Sequence, residues 1–130
     1  MRFLCIYRPG TPEVDRPPTQ EEMATMGKLI GDMAKAGVLL ATEGCLPSSK
    51  GSRVRIHGGG KFTVTDGPFP ETKELIAGFA IVDVKSREEA IELGSRFMRL
   101  HQEILGPTWQ GESDVRQMFG PGDFKPDAGG

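Results

Sequence analysis

Residues 75–84 read LIAGFAIVDV, and both of their alternating faces are apolar. In an extended strand successive side chains point to opposite sides, so Leu75, Ala77, Phe79 and Ile81 share one surface while Ile76, Ala80 and Val82 share the other. An antiparallel sheet with helices on one side and water on the other alternates apolar with polar residues, and this segment does not. The run RFLCIY at 2–7 repeats the pattern, with Phe3, Cys5 and Tyr7 opposing Leu4 and Ile6. Helices of the same chain can hide one face only. Leaving the other wet would forgo roughly 1.5–3 kcal/mol for each large side chain, so the expected solution is a homodimer with sheet packed on sheet.

Working outward, Pro9, Pro12, Pro17 and Pro18 stop the first strand, because proline continues neither a strand interior nor a helix. Thr19 and Glu22 form a capping box, and Met23, Gly27, Ile30 and Ala34 recur at helical spacing up to Gly37, which predicts a helix over 20–36. VLLATEGCL at 38–46 reads as a strand, and SRVRIHGGGKFTVTDG as a hairpin turning at Gly58, Gly59 and Gly60. Ser86 and Glu89 repeat the capping box; Ala90, Leu93, Phe97 and His101 trace one face of a second helix that Gly106-Pro107 ends. Residues 113–119 make a last strand, and 120–130 a loose tail. The order strand, helix, strand, hairpin, strand, helix, strand predicts an α+β domain over 1–119: ferredoxin-like split βαβ units with an inserted β-hairpin.

The totals narrow the function. With 16 basic and 18 acidic residues in a chain of 130, the net charge of −2 offers no basic field for a phosphate backbone, so nucleic acid is not an expected partner. The two cysteines, Cys5 and Cys45, sit in apolar company and are expected as reduced core residues. No apolar run approaches the roughly 20 residues of a membrane span, and Met1-Arg2-Phe3 leads straight into a strand, so a cytoplasmic location without membrane contact is expected. His57 and His101 have no companion at metal-ligand spacing, and no metal site is expected. His101 suits the C-terminal end of a helix, His57 a solvated hairpin, and Trp109 a structural place.

The charges gather at VTDGPFPETKE, residues 64–74. Gly67 and Phe69 each precede a proline and are pushed toward extended conformations. Asp66 can accept from the Phe69 amide as an Asx turn, which either pins the backbone or poises a carboxylate. Glu71 and Lys73 would share one strand face and Glu74 the other. With Glu43 and Arg55 from other strands these residues could form a polar cluster, in which neighbouring carboxylates raise and basic groups lower one another's proton affinity. The bland alternative is a surface ion-pair network. Tyr7 is a pocket-lining candidate, since its ring can pack while its hydroxyl faces a cleft.

From Met1 to about Phe119 the chain resembles the DGPF-motif branch of the YCII-related family, through Asp66 to Phe69 and their flanks, Glu43-Gly44, Arg55, Glu71 to Glu74, Glu92 and Asp114 to Arg116. The resemblance implies a ferredoxin-like, dimeric α+β barrel with a cleft in each protomer. Barrels of this architecture often work without a cofactor, so the expectation is a small-molecule-binding protein or a cofactor-independent enzyme that takes a small polar or aromatic organic molecule in the cleft near the DGPF loop. Asp66 and Glu71 are then the candidate catalytic carboxylates, and Tyr7, Glu43, Arg55, Phe69 and Lys73 the candidate ligand-binding residues of a lyase-like or proton-transfer site. The founding branch carries a His in the first helix paired with an Asp; residues 19–36 here contain no His, so that dyad does not carry over. Some relatives are encoded beside extracytoplasmic-function sigma factors, which makes a regulatory or accessory role the alternative expectation.

Overall fold

The computed structural model describes residues 1–8, 10, 16–70 and 75–123. In chain order the elements are β1 (Arg2–Arg8), α1 (Gln20–Lys35), β2 (Leu39–Gly44), a single 3-10 turn at Ser48–Lys50, β3 (Ser52–Ile56), β4 (Phe62–Asp66), β5 (Gly78–Asp83), α2 (Arg87–Leu105) and β6 (Glu112–Gln117). Both helices start on the hydroxyl caps that the sequence marks. Thr19 Oγ1 accepts from the Glu22 amide at 3.1 Å and Ser86 Oγ from the Glu89 amide at 3.2 Å, each satisfying a first-turn donor. The Glu89 carboxylate reaches back to the Lys85 amide at 3.1 Å, one residue ahead of the cap.

Four strands form one sheet in the order β2-β5-β1-β6, with every neighbouring pair antiparallel. β1 and β2 are thus parallel with β5 between them, and β5 and β6 are parallel with β1 between them. These are two split βαβ units, and the α+β arrangement is compatible with a ferredoxin-like fold. β3 and β4 pair only with each other, antiparallel, through Val54 opposite Val64 and Ile56 opposite Phe62. The connection between them closes with His57 N–H donating to Lys61 O at 2.7 Å. The Gly67–Pro68 bond that follows is cis.

The register sorts the faces. Phe3 lies opposite Val82 and Cys5 opposite Ala80, and this side carries the core: Phe3, Cys5, Val82 and Val84 packed with Leu29 and Met33 of α1 and Ala90 of α2. Leu4 opposite Ile81 and Ile6 opposite Phe79 occupy the helix-free side, where all four are half-buried.

Three expectations need correction. The strand expected over 75–84 is shorter, because pairing with β1 begins at Gly78 opposite Tyr7; Ala77 still donates to Tyr7 O at 2.8 Å, but Ile76 has turned outward. The strand expected over 38–46 is interrupted: its register shifts between Leu39 and Ala41, so Leu40 is extruded and exposed. Cys45, the first residue past the end of β2, is exposed rather than core, whereas Cys5 is buried. Both thiols are free, and no helix among the described residues is long and apolar enough to cross a membrane.

Candidate functional site

The densest aromatic cluster lies where β1 ends under α2. Tyr7 is on the helix side of β1, two residues beyond Cys5, and Phe97 and His101 follow one another at helical i, i+4 spacing on α2. Gly106 ends α2 and the chain turns back, with the Trp109 amide donating to Gly106 O at 3.1 Å. Tyr7 meets Phe97 edge-on at 5.3 Å between ring centroids and His101 at 4.6 Å, and Trp109 stacks on His101 at 5.5 Å with the planes 24° apart. Gly10 closes the far side. A Cβ there would strike Gln110 O and come within 3.1 Å of Trp109 Nε1, so only glycine lets the chain pass.

Two cavities meet at this cluster. One, of about 250 Å³, runs between the helices and the sheet, ends on Tyr7, Phe97 and His101, and is otherwise lined by apolar side chains such as Met26, Leu29 and Leu93. The other, of about 220 Å³, lies against Tyr7, His101 and Trp109 and has Arg16 and Glu22 at its rim. Arg16 and Glu22 form a 2.6 Å ion pair there, which holds the Glu22 carboxyl below the usual carboxylate range, with the Thr19 cap adding to the effect. Tyr7 and His101 are therefore the wall between an apolar chamber and a polar one.

The hydrogen bonds fix the state of the imidazole. His101 Nδ1 lies 3.0 Å from Phe97 O, and a carbonyl only accepts, so Nδ1 carries the proton. Nε2 then holds a lone pair, and among the described residues nothing donates to it. Burial pushes the His101 pKa down, opposed more weakly by the Phe97 carbonyl and the Glu22 charge, so the ring is neutral near pH 7. Burial pushes the Tyr7 hydroxyl up to about 12, so it stays a donor. A neutral base and a protonated phenol side by side can take a proton from one atom and hydrogen-bond an oxygen that gains charge.

The residues singled out from sequence fall into separate places. Tyr7 is in the wall just described, and Glu43 borders the apolar chamber beside it. Glu43 pairs with Phe79 in register, which puts its side chain on the helix-free face and its backbone on the chamber. Phe69 lines a more open groove with Lys50 and Arg53, and that groove shares Cys45, Leu46, Pro47 and Ile76 with the polar chamber. Arg55 and Asp66 lie on the β3–β4 pair, and no ion pair joins Arg55 to Glu43. The expected Asx turn is replaced: Asp66 Oδ1 accepts from Ser52 Oγ at 2.7 Å, while the Phe69 amide donates at 3.3 Å to Ser48 Oγ of the 3-10 turn. Glu71 and Lys73 lie outside the described residues. Among the described residues no group of three His, Cys, Asp or Glu side chains gathers as a metal site.

His101 and Trp109 are the members that sequence reasoning gave only structural places. The signal for His101 was present in the periodicity, which set it on the same α2 face as Ala90, Leu93 and Phe97, all turned toward the core. Trp109 carried no such signal, since its place depends on the return of the chain after Gly106.

The uncharacterized protein R00369 of Rhizobium meliloti (strain 1021) is 38% identical over 58 residues, a match that covers 45% of this chain and 46% of the relative, so the chain spans about half the length of the curated relative it matches. The model of the YCII-related domain matches residues 1–98. The chain belongs to the YCII-related family.

Proposed function

We propose that the protein binds a small, largely apolar organic molecule carrying an oxygen function, in the chambers that meet at Tyr7 and His101, and moves a proton on it without a cofactor. The observation that supports this reading is the commitment of His101 Nδ1 to Phe97 O, which leaves Nε2 unprotonated beside the Tyr7 ring. His101 accepts the proton; Tyr7 hydrogen-bonds the oxygen where negative charge builds. Size limits the ligand. An apolar protein cavity of roughly 150 Å³ takes a benzene ring, so a chamber of about 250 Å³ suits one ring with a small substituent. The Phe69 groove opens beside the same Cys45–Pro47 segment, which makes the DGPF residues neighbours of the entrance.

The working unit in this reading is a homodimer. Leu4, Ile6, Phe79 and Ile81 form an apolar helix-free face, and packing it on the same face of a second copy completes a two-layer barrel with helices outside.

The test uses the protein's single tryptophan, Trp109, as reporter. Phenols and small aromatic carboxylates are titrated while tryptophan emission and thermal midpoint are followed. Saturable changes in both, lost in Tyr7→Phe or His101→Gln variants that still fold, are expected. A set that moves neither signal contradicts the reading.

A further inference from the structure

The β3–β4 hairpin leaves a whole apolar face unmatched. Val54, Ile56, Phe62 and Val64 lie side by side in register, exposed to 66, 63, 67 and 68%, while Arg53, Arg55, Thr63 and Thr65 take the opposite side. Together the four expose on the order of 400 Å² of apolar surface, as much as the largest patch on an ordinary monomer. Neither strand packs extensively against the helices or the four-stranded sheet.

Its base, by contrast, is tied down by the DGPF residues. Gly67 donates to Gly51 O at 2.9 Å, Asp66 holds Ser52, the Phe69 amide holds Ser48, and the Arg53 guanidinium sits 4.2 Å above the Phe69 ring. Gly67 passes so close to Ser48 that a Cβ would collide with the Ser48 carbonyl oxygen. The segment 48–52 is thus gripped from the far end of the hairpin, which fixes the direction in which the hairpin projects.

We infer that the hairpin is an arm by which one copy clasps a second copy of this chain, and that the DGPF segment is the shoulder that aims it. The inference rests on the dimer reading above. Size selects the occupant first. A stable interface covers about 800 Å² on each partner, more than the half-buried Leu4, Ile6, Phe79 and Ile81 can supply alone, and the arm adds a patch of the missing scale. Charge selects it again. Residues 52–66 carry Arg53, Arg55 and Lys61 against a single carboxylate, Asp66, which is held by Ser52 at the base. On the helix-free face the β6 edge is balanced, with Glu112 and Asp114 beside Arg8 and Arg116, whereas Glu43 is the only charged residue of the β2 edge on that face and is in no ion pair among the described residues. A basic arm reaching past the β2 edge of the second copy covers the arm's apolar face and gives Glu43 a basic partner.

Sedimentation velocity at micromolar concentrations tests this with the full chain and two variants. Ile56→Lys/Phe62→Lys alters exposed arm residues, and Ala41→Arg alters an exposed residue on the helix-free sheet face, so both variants are expected to keep the protomer fold, checked by circular dichroism. The wild type is expected as a dimer, and the arm variant is expected to associate at least about tenfold more weakly. If the arm variant dimerises like the wild type while Ala41→Arg does not, the arm is refuted and the sheet-packed dimer stands. A monomeric wild type, or a dimer that neither variant weakens, overturns both.

Discussion

Tyr7 and His101 lie with their ring centroids 4.6 Å apart and their planes inclined by 39°, one at the end of the first strand and the other near the end of the second helix. Nearly a hundred residues separate them in the chain, yet the sheet register and the course of α2 bring them into one wall. The pairing lets burial act on both at once in opposite senses: it disfavours the imidazolium and the phenolate alike, leaving two neutral groups of complementary hydrogen-bonding character.

Tyr7 is the only tyrosine, so its ionisation is readable directly. Tyrosinate absorbance is expected near pH 12 in the folded protein and near pH 10 in urea. The folded pKa is the higher one, so the stability it reflects is complete below the unfolded value and declines as pH rises from about 10 toward 12. A folded midpoint near 10 would mean the hydroxyl is solvated.

His101 works in the other direction. Its folded pKa is depressed, so the unfolded chain binds the extra proton first, and stability is retained above about pH 6.5 and lost as pH falls below it. Glu22, depressed by Arg16, gives up its contribution only below the ordinary carboxylate range. Thermal midpoints are therefore expected to fall in two steps, and His101→Gln should remove the upper one alone.

Phe3 is buried to within 2% at the centre of the sheet and Gly67 is wedged against Ser48 O. Phe3→Ala is expected to cost about 3–5 kcal/mol in urea unfolding. Gly67→Ala should cost about 1–3 kcal/mol, because the clash is with backbone that cannot rotate away. A neutral Gly67→Ala would show that the shoulder of the hairpin gives way freely.

Thr19→Ala removes the hydroxyl that accepts from the Glu22 amide, and about 1 kcal/mol of stability should go with it. The loss is measurable by the same urea titration. Because Glu22 is held by the cap and by Arg16 at the rim of the polar chamber, the variant should also weaken any ligand response of Trp109.

Much of this was legible in the residues. Strand alternation in 75–84 and 2–7 named the two faces of the central pair, and the threonine and serine caps placed both helix starts, because these signals act over a few residues. The extruded Leu40 and the outward Ile76 were not legible, since a strand's end is set by where its partner stops. The same reason hid the site. The gathered charges at 64–74 drew attention to Asp66, whose carboxylate holds Ser52 at the hairpin base, while the apolar company of His101 concealed a titratable group facing a cavity.

The most direct measurement is the nitrogen NMR spectrum of the His101 imidazole across pH, assigned by comparison with His101→Gln. The expected spectrum shows the Nδ1-protonated tautomer with an unprotonated Nε2 and a pKa below 6.5. A proton on Nε2 in the neutral ring, or a pKa above that value, would contradict it.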